Sequence, residues 1–350
     1  MILPESHSKN WIMEVRKKTP RMDPILIEKM IMAFMLVENL ALSELNFVFK
    51  GGTALALILG KLHRFSIDID ILLNKDQLYE DRFDKITKSG QFYRYEEHKR
   101  KRDLPKKHYK FFYQSVIEEK ESHILLDVLF EENVYPRLTQ VEIISPILSV
   151  GEEITTITCP TKEGLLGDKL TAFAPHTTGI PYGSGKQLEM IKQLFDIALL
   201  FDAVDHLDMV SKAHQAVALL ELNYRGLGHC TPNDVLEDTL NTALLIGVRG
   251  FGGNVEEFEA LNSGIKRLGG FIYSGNFTID TAVLCASKAA TLSAHLIMKE
   301  SGLRKFEPEI DLVNWQIQKP AYQKLNRLKK TNPEAFFYFY TALEKLGLLN

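Results

Sequence analysis

Cysteine is scarce in this sequence: Cys159, Cys230 and Cys285 are the whole supply. An odd number of widely spaced cysteines builds neither a disulfide framework nor a Cys-x-x-Cys zinc site, and it suits a reducing cytoplasm. Surplus charge is also missing. Lysine and arginine total 42 against 45 acids, a formal net charge of −3. The chain is therefore no polycation, and any nucleic-acid contact must come from a local patch. Long hydrophobic runs are absent too. The longest, around Met30–Val37, falls well short of a membrane span, and the opening MILPESHSKNW is too polar for a secretory signal. These absences predict a cytoplasmic protein with no membrane partner. What is present is ordinary globular composition, 45% apolar and 25% charged over 350 residues. That length is enough for two domains and a large core.

Asp23-Pro24 reads as an N-cap with proline in the first helical position, opening an apolar helix from Ile25 to about Leu40. A short strand is predicted over Phe47–Lys50, a helix over Thr53–Leu59 after Gly51-Gly52, and a strand over Ile67–Leu73 from its β-branched, period-two pattern. A helix over 76–88 precedes three further strands, Phe92–Glu97, His108–Ile117 and His123–Phe130, joined by charged turns. From Thr161 the pattern becomes helix after helix: Lys162–Phe173, Lys186–Phe201, Leu207–Leu220, Val235–Val248, Phe277–Met298, Lys319–Lys330 and Pro333–Leu346. The expectation is an α+β chain, with a mixed α/β domain over 1–158 and a helical domain over 159–350.

The chemistry centres on KGGTALALILGKLHRFSIDIDILL, residues 50 to 73. Side chains alternate along a strand, so Asp68 and Asp70 project the same way, roughly 7 Å apart. Asp127 lies in another apolar strand, ILLDVLF. If the two strands are neighbours, three carboxylates converge, and a cation offsets their repulsion. Hard divalent cations such as Mg²⁺ favour carboxylate oxygens together with substrate phosphates. Two such ions, about 4 Å apart, activate an attacking hydroxyl and stabilise a leaving oxygen. Gly51 and Gly52 let the backbone approach a ligand closely. The helix beginning at Thr53 offers free N–H groups to an anion.

The string Gly51-Gly52-Thr53-Ala54-Leu55, followed by Arg64-Phe65-Ser66 and then Asp68-Ile69-Asp70, resembles the AbiEii/AbiGii toxin family of nucleotidyltransferases. That family belongs to the wider DNA polymerase β-like nucleotidyltransferase superfamily. The resemblance implies a mixed-sheet nucleotidyltransferase core followed by a helical domain, with Asp127 as the third acid. Family members carry a lysine and then an aspartate on successive helices, places that Lys169 and Asp196 fit. The resemblance further implies metal-dependent transfer of a nucleoside monophosphate from a nucleoside triphosphate, with two Mg²⁺ ions (or Mn²⁺). Asp68, Asp70 and Asp127 would hold the ions, and Gly51, Gly52, Thr53, Ser66 and Lys169 the substrate. It also implies a cognate antitoxin protein and a tie to phage defence.

Beyond the match, Lys186 and Lys192 are further candidates to neutralise triphosphate charge, and Asp196 to orient Lys169. The loop Pro175–Lys186 sets hydroxyls, glycines and His176, a candidate base, between two helices. Its GSGK is no Walker A, because Gln187 replaces the Ser or Thr and no strand precedes it. Arg94–Lys110 holds eight lysines or arginines against three acids, with tyrosines between, a pattern able to grip an RNA acceptor. Lys324–Lys330 is a smaller basic patch. The aromatic run Phe336–Tyr340 reads as helix core. Two other functions stay open on this pattern: a non-catalytic nucleotide- or RNA-binding module acting through a partner, and a phosphotransferase moving the γ-phosphate.

Overall fold

The computed structural model describes residues 1–19, 22–88, 90–99, 105–273 and 275–350. It contains two compact units. One comprises Met1–Thr161 with Gly270–Gly275, the other Lys162–Gly269 with Asn276–Asn350.

The first unit runs through helices α1 (Lys9–Lys18) and α2 (Pro24–Leu42), strand β1 (Val48–Lys50), α3 (Gly51–Ile58), β2 (Ile69–Leu73) and α4 (Glu80–Lys88). Strands β3 (Arg94–Glu97), β4 (Lys106–Gln114), β5 (Glu121–Phe130), β6 (Leu138–Glu142) and β7 (Thr156–Pro160) follow. Five strands form one sheet in the order β1-β2-β5-β4-β3, while β6 and β7 pair separately. Among the described strands, β2 and β5 run parallel and the other pairs are antiparallel. The Asp23 side chain accepts from the Ile25 N–H at 2.9 Å ahead of Pro24, so α2 starts where its cap signal predicts. Ile27 and every residue from Met30 to Val37 are buried. They join Phe49, Ile69, Ile71, Leu73, Phe111, Tyr113, Ile124, Leu126 and Val128 in one core. Strand alternation therefore turns the intervening residues, Asp70, Asp127 and His108 among them, to the opposite face.

The second unit is helical: α5 (Lys162–Ala172), α6 (Gln187–Ala203), α7 (Asp208–Tyr224), α8 (Pro232–Gly247), α9 (Val255–Leu268), α10 (Ile279–Ile297), α11 (Leu328–Thr331) and α12 (Pro333–Lys345). Helix α10 is its centre. Every residue from Cys285 to Leu296 is buried, as expected of a helix apolar or small on all sides, and it packs on α6, α8 and α12. The aromatic run of α12 is core, with Phe336, Phe337, Tyr338 and Phe339 all buried. Among the described residues, no helix is long and apolar enough to cross a membrane.

Several boundaries differ from the sequence reading. The aspartate strand starts at Ile69 rather than Ile67, because the Asp68 carbonyl accepts from the Thr53 hydroxyl at 2.6 Å. The glycines lie inside α3, not before it. Helices α1 and α9 and strands β6 and β7 were not anticipated. Lys319–Lys330 is a 3₁₀ turn (Gln323–Arg327) followed by the single turn α11. There the Asn326 side chain bonds both backbone groups of Ile317, which draws the chain out of α-helical geometry.

Candidate active site

The site is built on a row across the sheet. Lys50 pairs in register with Asp70, Asp70 with Asp127, and Asp127 with His108. Four neighbouring strands thus set two carboxylates side by side with a basic residue at each end. Lys106, two residues before His108 and on the same face of β4, completes the group. Its Nζ lies 2.9 Å from Asp127 Oδ2 and 3.9 Å from Asp70 Oδ1. Nδ1 of His108 donates to Asp127 Oδ1 at 2.6 Å. Burial alone would raise the Asp127 carboxyl, but the Lys106 charge and the His108 hydrogen bond outweigh it and hold the group below its ordinary value. Burial likewise opposes the Lys106 ammonium, and the Asp70 and Asp127 charges overcome it, so that group is raised.

The glycine turn closes on the same aspartate. Gly51 has φ +81°, and a β-carbon there would overlap Asp70 Oδ2. At Gly52 a β-carbon would overlap the Arg64 guanidinium and fall 2.9 Å from Ser66 Oγ. Both positions therefore require glycine for close approach. The N-cap residue of α3, Lys50, makes no side-chain cap hydrogen bond to the first turn. Arg64 is buried and donates to the Phe65 carbonyl at 3.1 Å.

The sequence candidates divide as follows. Asp70 and Asp127 meet. Asp68 is exposed, immediately before the strand. Thr53 is buried, with its hydroxyl committed to the Asp68 carbonyl. Among the described residues, no group of three or more His, Cys, Asp or Glu side chains is gathered closely enough to hold a metal as it stands. The Asp70–Asp127 pair nevertheless has the oxygen donors a hard divalent cation prefers, and it already shares one cation, the Lys106 ammonium. Lys106 and His108 were not singled out in the sequence. Their signal was the alternation K-x-H at the start of a strand able to pair with that of Asp127.

In the helical unit, Lys169 and Asp196 form a buried ion pair between α5 and α6, with Nζ 2.9 Å from Oδ2 and 2.8 Å from Gln193 Oε1. Lys186 is exposed at the N-cap of α6, and Lys192 is half-buried six residues further on. His176 in the Pro175–Lys186 loop is held by acids: Nδ1 is 3.4 Å from Asp238 and Nε2 3.1 Å from Glu257. Asp238 also accepts from the His176 and Thr177 N–H groups, both at 2.8 Å. The basic stretch is partly neutralised. Arg94 pairs with Glu96 and Glu121 and lies over the Phe112 ring, and Lys107 donates to Tyr79 at 2.7 Å. Arg100, Lys101, Arg102 and Asp103 lie outside the described residues.

The nucleotidyl transferase AbiEii toxin family, of type IV toxin–antitoxin systems, matches residues 35–246. The chain belongs to this family. The match spans the glycine turn, the Asp70–Asp127 row and the Lys169–Asp196 pair of this AbiEii-type chain. No curated protein matches. Among solved structures, JHP933 of Helicobacter pylori is similar at 14% identity and TM-score 0.45, over 79% of this chain and 94% of that one. A crystal structure of a provisionally named H. pylori nucleotidyltransferase is similar at 17% identity and TM-score 0.45, over 78% and 96%.

Proposed function

We propose that this AbiEii-family chain is a metal-dependent nucleotidyltransferase that moves a nucleoside monophosphate from a nucleoside triphosphate to an acceptor hydroxyl, with pyrophosphate leaving. The observation that carries the reading is the Asp70–Asp127 register pair, two carboxylates side by side, sharing one cation. Asp70 and Asp127, with Asp68 at the strand mouth, would hold the divalent ions. When bound, Mg²⁺ or Mn²⁺ supplies positive charge for the phosphates and acidifies a nearby hydroxyl. The chain's own residues do the rest. Gly51 and Gly52 admit phosphate oxygens to the backbone, and the uncapped first turn of α3 donates to them. Arg64 and Ser66 line that turn. His108 orients Asp127, so that one carboxylate oxygen faces Asp70 and the acceptor proton. Most of the rate gain then comes from fixed charges and in-line positioning.

The family's toxin–antitoxin setting supports an inhibitory role balanced by an antitoxin protein. The Arg94–Lys110 stretch, with Lys99 and Lys110, is the region to test for an RNA acceptor, while Lys169, Lys186 and Lys192 are the candidate triphosphate lysines of the helical unit. The test is incubation with each α-labelled triphosphate, Mg²⁺ and total RNA plus lysate. Label from the α-phosphate on RNA or protein supports nucleotidyl transfer. Label only from the γ-phosphate assigns a phosphotransferase, and nucleotide binding without transfer assigns a binding module.

A further inference from the structure

We propose that Lys106 is the resident counter-ion of the Asp70–Asp127 pair. In the ion-free chain its ammonium holds the space between the two carboxylates that a divalent ion takes in the loaded site, and it withdraws when that ion arrives. The inference rests on the reading of these aspartates as ion ligands, and it adds a residue outside every motif that led to that reading.

The geometry points to this role in three ways. The first is position. β5 separates β4 from β2 in the sheet, yet the Lys106 ammonium reaches over it to stand 2.9 Å from Asp127 Oδ2 and 3.9 Å from Asp70 Oδ1. The second is direction. His108 engages the other oxygen of Asp127 at 2.6 Å, so Oδ2 is the oxygen left to meet a cation shared with Asp70. The third is mobility. Asp127 and His108 lie within their strands with side chains only 13% and 10% exposed, whereas Lys106 is the first residue of β4 and its side chain is 31% exposed. A flexible four-carbon stem at a strand end can release its head group without breaking the sheet.

A displaceable cation of this kind sets how the ion is acquired. The apparent affinity of the free ion is its intrinsic affinity reduced by the fraction of chains whose carboxylates are open. A charge-assisted contact of this type keeps that fraction at roughly a tenth to a hundredth. An ion arriving with phosphate oxygens already in its shell gains further ligands from the α3 turn and displaces the lysine more readily. The site therefore loads the ion more readily with nucleotide than alone.

The experiment uses the full chain stripped with chelator and titrated with Mn²⁺ alone, free ion being read by electron paramagnetic resonance. Lys106→Gln is expected to bind Mn²⁺ about tenfold to a hundredfold tighter than wild type, and Lys106→Arg within about threefold of wild type, on the weaker side. In chelator, Lys106→Gln is expected to melt below wild type, with Mn²⁺ restoring it. As a readout needing no variant, acylation of Lys106 by an amine reagent, followed by mass spectrometry, is expected to be slow in chelator and faster at saturating Mn²⁺. Equal or weaker Mn²⁺ binding by Lys106→Gln, with Asp70→Asn still abolishing it, overturns the role of Lys106 and leaves the ion site standing. An acylation rate unmoved by bound Mn²⁺ overturns it equally. If no form binds Mn²⁺ and Asp70→Asn changes nothing, the ion-site reading itself fails and takes this inference with it.

Discussion

Gly51 stands against the Asp70 carboxylate so closely that a β-carbon on it would overlap Oδ2. The glycine also sits at φ +81°, where an L-residue is strained by about 1–2 kcal/mol. Gly51→Ala should therefore cost about 2 kcal/mol or more in urea unfolding and shift Asp70. Pyrophosphate release should fall by at least about tenfold. Gly52→Ala meets only the movable ends of Arg64 and Ser66, and should cost less stability. Full activity in Gly51→Ala would remove the functional meaning of this contact.

Asp70→Ala and Asp127→Asn should each lose several kcal/mol of transition-state stabilisation, about a thousandfold in kcat, with circular dichroism unchanged. Asp127→Asn also removes the charge from the acceptor of the His108 hydrogen bond. The His108→Phe variant, which keeps the carboxylate but frees its orientation, is expected to lose less, about ten- to a hundredfold. Wild-type turnover by either aspartate variant would end the assignment of the row as the catalytic centre.

The Lys169–Asp196 pair is buried, with side chains 6% and 0% exposed. Removing one partner strands a charge, so Lys169→Met alone should lose about 3–5 kcal/mol in a denaturation curve. The double variant Lys169→Met/Asp196→Leu should recover most of it. Its turnover then separates two roles: a stable, inactive double variant marks Lys169 as part of the chemistry, and a stable, active one marks the pair as a clamp between α5 and α6.

His214 in α7 is 1% exposed, its Nε2 has no hydrogen-bond partner among the described residues, and burial lowers its pKa to about 4. The unfolded chain binds this proton near pH 6.5. Between about 6.5 and 4 the unfolded state thus carries more protons than the folded one, and stability falls as pH falls through that window. It is complete above the window. The expected loss is on the order of 3 kcal/mol. His214→Leu, close in volume, should flatten this part of a stability-versus-pH curve. An unchanged slope would show that another group titrates there.

The parts legible in the sequence are those where local pattern and tertiary packing agree. The α2 cap, the apolar alternation of β2 and β5 and the aromatic core of α12 all carried their structure locally. So did the two aspartates, because they break an apolar alternation that otherwise explains itself. What was not legible depends on register. Strand β6 is largely exposed and β7 is short, leaving little apolar period to read. Lys106 and His108 sat in a lysine-rich stretch that resembles a turn, and only the pairing of His108 with Asp127 gives them meaning. The two-residue delay of β2 came from one hydroxyl, Thr53, reaching a carbonyl fifteen positions away.

Gly270–Gly275 belongs to the sheet-bearing unit although more than a hundred residues separate it from the rest of that unit. The Phe65 N–H donates to the Phe271 carbonyl at 2.8 Å, the Tyr273 N–H donates to the His63 carbonyl at 2.9 Å, and Arg64 bridges Ile272. The segment leading to the aspartate strand is thus stitched to chain that a ribosome makes much later. In the nascent chain, His63, Arg64 and Phe65 gain these backbone partners only after translation has passed Tyr273. A product terminated before Phe271 lacks the backbone partners of the segment that carries Arg64, so the chain around the glycine turn is completed late in synthesis.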